Sequence, residues 1–324
     1  MNVVDKDIFF QLTEKFQEIP LTQSEGWYAM NSCYHPEKII FMVNDGENPR
    51  IGCFGHVKKM GFIKMLLIEG ERYVDSDAMK TATIRSFYSG ILALGYDMVE
   101  VCSDAPYNFE YETAMRQVGF LRPVGQFSLP STKIIDLIQP IKYNQNWKRY
   151  LKKSSEYDLT FEAIDQITVK DAEDFISINR SMTERKDLSF HYDAKQIYAL
   201  CTSKDFQLFF VSFESKRIAT TIIFKSKKMA KSLFAASSKE ALKTLASYFM
   251  YEQMFNYLSN QGIQNFDMGK LLPSTDNVNN VFLFKNGVKG THIQLNGEWS
   301  WYKKSIYRSS MYFVKKYLMK KREM

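Results

Sequence analysis

A chain of 324 residues, 45% hydrophobic and 15% aromatic, has enough apolar side chain to fill about two cores, which excludes a largely disordered protein. Its 43 Lys and Arg against 36 Asp and Glu give a net charge of +7, but residues 303–324 alone hold eight basic residues and one acid, so the rest is neutral. No run reaches the roughly 18–20 apolar residues that cross a bilayer, and acids stand near the N-terminus where a secretory signal carries positive charge; a cytoplasmic protein is expected.

In chain order, DKDIFFQLTEKF reads as an amphipathic helix and IPLTQSEGW as the loop after it. KIIFMVND and RIGCFGHVKK read as a hairpin turning at Asp45 and Gly46. NWKRYLKKSSEYDLTFEAI is a basic helix running into a strand, VKDAEDFISINRSMTERK a longer helix, and QLFFVSFESKRIATTIIFKSKKMAKSLFAAS three alternating strands. The order of hairpins, helix, strand, helix and strand is that of mixed sheets flanked by helices, an α/β chain without doubly wound βα repeats.

One block occurs twice. FYSGILALGYDMVEVCSDAPYNFEYETAMRQVGFLRPVGQFSL gives helix, Gly95, strand, polar loop, short helix, Gly119, strand; YFMYEQMFNYLSNQGIQNFDMGKLLPSTDNVNNVFLFKNGVKGTHIQL gives the same order around Gly262 and Gly287. The glycines are 24 and 25 residues apart, and each suits the left-handed C-cap of the helix before it. Two related α/β domains are expected.

Cys33, Cys53, Cys102 and Cys201 form no C-x-x-C pair, and His35, His56, His191 and His292 are scattered, so no zinc-ligand spacing exists and no tightly bound cofactor is expected. G-x-G-x-x-G, P-loop, G-x-S-x-G and H-E-x-x-H patterns are absent, which lowers the dehydrogenase, kinase, serine-hydrolase and zincin readings.

The segment AMRQVGFLRPVGQFSL is similar to the end of the GNAT acyltransferase fold, and four further stretches resemble the FemAB family of peptidoglycan-bridge aminoacyltransferases. These are PLTQSEGW (Pro20–Trp27), NWKRYLKKS, SMTERKDLSFHY (Ser181–Tyr192), and FDMG followed by LFKNGVKG (Phe266–Gly290). The resemblance implies two tandem GNAT-like domains, residues 1–142 and 143–300, with a basic amphipathic helix at 301–324 returning to the first. It implies acyl transfer to an amino group of a cell-envelope or surface-glycan precursor, from an aminoacyl-tRNA. The chain departs from the family in having Trp27-Tyr28-Ala29-Met30 where bridge-forming members tend to place a lysine, and in lacking their paired helical insertion. An acyl-CoA donor and a non-catalytic binding protein are the alternatives; no pyrophosphate loop R/Q-x-x-G-x-G/A follows the strands IATTIIF or KSLFAAS.

Acyl transfer to an amine needs positioning, a stabilised oxyanion and a protonated leaving group rather than a covalent nucleophile. By the resemblance, Lys285 after Phe284 is the active-site cation and Arg185, in the loop after the long helix, grips a carboxylate or phosphate of the acceptor. Asp267, in a strand between Phe266 and Met268, orients an amine or caps the loop that follows; Trp27, Tyr28 and Tyr251 are cleft or core aromatics. Lys148, Arg149, Lys152 and Lys153 share one helical face that either binds tRNA phosphates or is simply solvated. In the tail, Ile306, Tyr307, Met311, Phe313, Val314, Tyr317 and Leu318 interleave with Lys315, Lys316, Lys320 and Lys321. That helix is expected to pack on the first domain, with an anionic membrane surface as its second target and RNA as a third.

Overall fold

The computed structural model describes residues 1–123, 130–187, 192–271, 280–314 and 317. In chain order they form β1 (Asn2–Val4), α1 (Lys6–Leu12), α2 (Glu25–Ser32), β2 (Ile39–Val43), β3 (Ile51–Met60), β4 (Ile63–Ile68), β5 (Arg72–Tyr73), α3 (Thr81–Leu92), β6 (Met98–Pro106) and α4 (Phe109–Val118). Next come β7 (Ser131–Asp136), α5 (Gln145–Ser154), β8 (Leu159–Ile164), α6 (Val169–Lys186), α7 (Ala194–Cys201), β9 (Phe206–Phe213), β10 (Lys216–Ser226) and β11 (Met229–Ser237). The last are α8 (Lys239–Lys243), α9 (Ala246–Asn260), β12 (Asn265–Asp267), α10 (Asn280–Asn286), β13 (Thr291–Tyr302) and α11 (Ser305–Phe313).

The chain sorts into two compact units. Unit 1 comprises residues 1–24, 34–130 and 294–324; unit 2 comprises residues 25–33 and 131–293. The expected boundary after residue 142 is therefore corrected to residue 130, because β7 belongs to unit 2, where it pairs with β12 over Ile134–Asp136. A second correction concerns Trp27 and Tyr28, expected in the first domain. Their helix α2 belongs to unit 2, where it packs on α7 and Gly26 lies so close to Phe206 that a Cβ there would come within 2.7 Å of the ring.

The two sheets repeat one design. In unit 1, β1, β2, β3 and β4 run antiparallel in that order, β4 then pairs parallel with β6, and β6 antiparallel with β13. In unit 2, β8, β9, β10 and β11 run antiparallel, β11 pairs parallel with β12, and β12 antiparallel with β7. The closing strands are exchanged: β7 follows α4 in sequence yet closes the sheet of unit 2, whereas β13 follows α10 and closes that of unit 1. Each parallel pair results from a helical crossover, α3 or α9, and each helix buries an apolar stripe on its sheet, Ile84–Phe87–Tyr88–Ile91 in the first and Met250–Met254–Phe255–Leu258 in the second.

Glycines end the repeated helices as expected at Gly95, Gly119 and Gly262, which have φ of +81°, +93° and +80°. Gly287 is a correction, for its φ is not positive. It is required by packing: a Cβ there would stand 2.1 Å from Cδ1 of the buried Trp147. In the tail, β13 takes Trp301 and Tyr302, α11 follows, and Met311 is buried against Ile63 and Met98 of unit 1. Lys315, Lys316, Leu318, Lys320 and Lys321 lie outside the described residues, as do parts of the resembling stretches, at 188–191 and 272–279.

Candidate functional site

β11 and β12 pair in parallel only over three residues, the last couple being Lys231 and Asp267. Beyond it β11 continues to Ser237 while β12 ends, so the two strands part and leave polar groups at the point of divergence. Asp267 stands there, buried at 6% exposure. Its Oδ1 accepts from the Thr132 hydroxyl on β7 and from the Gly269 N–H at 2.8 Å, and its Oδ2 lies 3.7 Å from Nζ of Lys231. Gly269 has φ +74°, and a Cβ on it would stand 3.0 Å from the Ser232 carbonyl oxygen, so the chain turns tightly where only glycine fits.

Lys285 reaches the same turn from α10. Its Nζ donates to the Lys270 carbonyl at 2.8 Å, and a Cβ on Gly269 would lie 3.6 Å from it. Burial lowers its pKa to about 8; the Asp267 carboxylate opposes that fall and the Lys231 ammonium adds to it. A lysine so poised can hold a proton near neutral pH and give it up. The helix that carries it is anchored by aromatic rings. Phe284 contacts Trp147, Tyr248 and Tyr251 at centroid distances of 5.0, 5.1 and 5.1 Å, and the Trp147 indole N–H donates to the Phe284 carbonyl at 2.8 Å. Tyr251 is buried, its hydroxyl 3.3 Å from that of Ser232, and burial raises its pKa.

Four of the residues singled out in the sequence are thus brought together: Lys285, Asp267, Phe284 and Tyr251. Sequence reasoning missed Lys231, Ser232 and Thr132. A lysine at the bounded end of an alternating strand, opposite an acid in the next strand, is the signal that points to Lys231 once the parallel register is known.

The others stand apart. Arg185 is in the last turn of α6 rather than in a loop, and its Nη2 donates to the Ser237 carbonyl at 3.1 Å while its buried Nη1 has no partner among the described residues. Ser237 is six residues along β11 from Lys231, roughly 20 Å at strand rise. Trp27 is buried on α2; Phe206, beneath that helix, lies in one row with Phe224, Lys231 and Asp267, three strand spacings or about 15 Å from the carboxylate. Tyr28, beside it, is half-buried. Lys148, Arg149, Lys152 and Lys153 are exposed on α5, whose inner face buries Trp147. At the N-terminal end of α5 a cavity of about 350 Å³ is lined by Lys133, Lys142, Asn144, Asn286 and Lys289 among others. The Lys133 ammonium inside donates to the Asn286 carbonyl at 3.2 Å and side chain at 3.0 Å, with its pKa lowered by burial.

Unit 1 lacks this arrangement. The register couple matching Lys231 and Asp267 is Leu67 and Glu100, and the residue two before the helix-ending glycine, Lys285 in unit 2, is Gln117 in unit 1. Its buried carboxylate, Glu71, is consumed by the hydroxyls of Tyr88, Tyr111 and Tyr73, and the N-terminal segment ties down the edge after β4: the Gln23 amide donates to the Phe54 carbonyl at 3.0 Å and the Thr22 hydroxyl donates to that of Glu69. Among the described residues no group of His, Cys, Asp and Glu is spaced to hold a metal ion.

No protein-family model and no curated protein matches the sequence. Solved structures match the fold from end to end. FemX is 12% identical, aligned over 96% of this chain and 100% of that chain with a TM-score of 0.72. The C-terminal domain of a putative lysylphosphatidylglycerol synthetase from Agrobacterium fabrum is 12% identical over 95% and 96%, TM-score 0.64. A tandem GNAT protein from the clavulanic acid biosynthesis pathway is 10% identical over 91% and 93%, TM-score 0.52. The protein has the tandem GNAT-like fold of these structures.

Proposed function

We propose that the protein is an aminoacyltransferase that moves an acyl group from an aminoacyl-tRNA to an amino group of a cell-envelope or surface-glycan precursor, forming an amide. The observation that carries this reading is the asymmetry between two copies of one fold. The second copy sets two lysines around a buried carboxylate, Lys231 and Lys285 about Asp267, and the first has Leu67 and Gln117 at the matching positions.

The amine must arrive neutral, its nitrogen attacking the ester carbonyl as the carbonyl electrons move to oxygen. The Lys285 and Lys231 ammoniums, close to Asp267 in a partly desolvated site, suit the stabilisation of that oxyanion by a positive field. When the C–O bond to the ribose breaks, the Lys285 ammonium gives its proton to the leaving oxygen, and the proton lost by the new amide nitrogen restores it. Asp267 has a positioning role: bonded to Thr132 and Gly269 and paired with Lys231, it fixes the turn, and its charge opposes the burial that lowers the Lys285 pKa. Arg185, with one guanidinium nitrogen unspent, suits a remote carboxylate or phosphate of the acceptor, and Trp27 and Tyr28 suit another part of it. For the donor, the exposed cations of α5 and the lysine-lined cavity at its start favour a polyphosphate chain. Acyl-CoA is less favoured: in the turn after β11 the Ser238 hydroxyl accepts from the Ala241 N–H at 3.2 Å, using a donor that a pyrophosphate would need.

Release of labelled amino acid from charged tRNA onto soluble amines tests this directly. Transfer is expected from charged tRNA, falling steeply with salt, and Lys285→Ala should cost about 10²–10³ in rate with an unchanged melting temperature. Turnover of acetyl-CoA in place of charged tRNA would overturn the donor, and an unaffected rate in Lys285→Ala would remove that lysine from the site.

A further inference from the structure

The hairpin of β3 and β4 in unit 1 turns on two residues, Gly61 and Phe62, with Met60 and Ile63 as the closing pair. Gly61 supplies the left-handed φ, +61°, that such a turn needs. Phe62 supplies nothing to the turn and is 86% exposed, the most exposed of the large apolar side chains described. It is flanked by the exposed Lys58, Lys59 and Lys64. The ring of Tyr307 on α11 lies 6.5 Å from that of Phe62, so hairpin tip and helix present one surface.

α11 carries two apolar stripes. One seats Met311 on Ile63 and Met98. The other, Ile306 and Phe313 seven residues apart, faces away at 64% and 59% exposure, and the Phe313 ring lies 4.7 Å from that of the exposed Tyr317, tilted to it. Lys303, Lys304 and Arg308 are exposed around it. Residues 58–64 and 303–317 contain no acid at all. Packing on its own unit explains the first stripe and not the second.

We infer that this surface docks on an anionic lipid bilayer, with Phe62, Ile306 and Phe313 entering the interface and the six flanking cations at the headgroup phosphates. Apolar tips ringed by Lys and Arg match the layering of an acidic membrane, acyl region beneath phosphate. The charge also decides against a second copy of the chain as occupant, since self-pairing would set cation against cation. The inference is independent of the acyl-transfer site, whose residues all lie in unit 2, and adds to it a place of action at the inner membrane surface.

Flotation of the full chain with vesicles of phosphatidylcholine, with and without phosphatidylglycerol, is the test. Binding is expected to the mixed vesicles only and to weaken as salt rises. Phe62→Ala should lower the affinity about tenfold or more, and each of Lys58→Gln and Lys59→Gln about fivefold. Phe62 is solvent-exposed, so its loss should leave the circular dichroism spectrum and the transfer to soluble amines unchanged; Phe62→Trp should shift its fluorescence to the blue on vesicle binding. Full affinity in Phe62→Ala, equal binding to neutral vesicles, or a concentration-dependent dimer that Phe62→Ala dissolves would each overturn the inference.

Discussion

Lys285 is useful because its ammonium is neither fully hydrated nor fully paired. Burial lowers its pKa to about 8, close to the pH at which a proton donor works best. If the charged form delivers the proton to the leaving oxygen, the rate constant for transfer, referred to the concentration of neutral amine, is level below that value and declines as pH rises through it. Lys285→Arg keeps its charge over the whole range, so its profile should be flat where that of the native protein falls, at a lower plateau because a planar fork does not replace a point charge. Single-turnover rates between mildly acid and mildly alkaline pH give both profiles, and matching profiles would assign the ionisation to another group. Lys285 was legible as a candidate through the resemblance, as the lysine after Phe284 on the short helix before Gly287, and Asp267 as a carboxylate in a strand between Phe266 and Met268. Thr132 was not: it bonds a carboxylate 135 positions away, and nothing local to SLPSTKIIDL marks it as a partner. Lys231 was not legible either, since one cation in an alternating strand looks like a solvent-facing residue until the neighbouring strand is known.

At the scale of elements, the repeat predicted helix, strand and short helix in order, and both copies have them. The reason for the glycines was legible at three positions and not at the fourth, because a left-handed cap is a local matter while the approach of Trp147 to Gly287 is a tertiary one. The two kinds of glycine should fail differently. Gly119→Ala costs about 1–2 kcal/mol of backbone strain, in unit 1, and should lower the melting temperature with transfer per folded molecule intact. Gly287→Ala drives a methyl into the indole that braces Phe284 and α10, an overpacking of about 1–3 kcal/mol that also displaces Lys285. Thermal melts and initial rates on both variants check this: equal residual activity in the two would mean that the docking of α10 does not set the position of Lys285. The exchange of β7 and β13 was hidden for a related reason. Each follows its short helix exactly as a local closing strand would, and only the ladders, Ile135 on Phe266 and Trp299 on Val101, reveal the exchange.

For the whole molecule, interleaving of the chain replaces the picture of two consecutive domains. The second unit takes α2 from near the N-terminus; this helix packs on α7, sets Gly26 against Phe206 at the start of β9, and has Trp27 and Met30 buried. Two such side chains contribute roughly 1.5–3 kcal/mol each, a sizeable part of what holds a unit of this size folded. A fragment of residues 131–293 therefore keeps every strand of its sheet and every residue about Asp267, yet exposes the surface that α2 covers. It is expected to be poorly soluble, or to be compact with loose packing that binds the dye ANS. Joining residues 25–33 to it through a flexible linker should restore a cooperative thermal transition and abolish dye binding; the same linker carrying Trp27→Ser and Met30→Ser should not. If the bare fragment melts cooperatively at the temperature of the full chain, α2 is a passenger in unit 2 and its contacts with α7 carry no weight in the stability of the site.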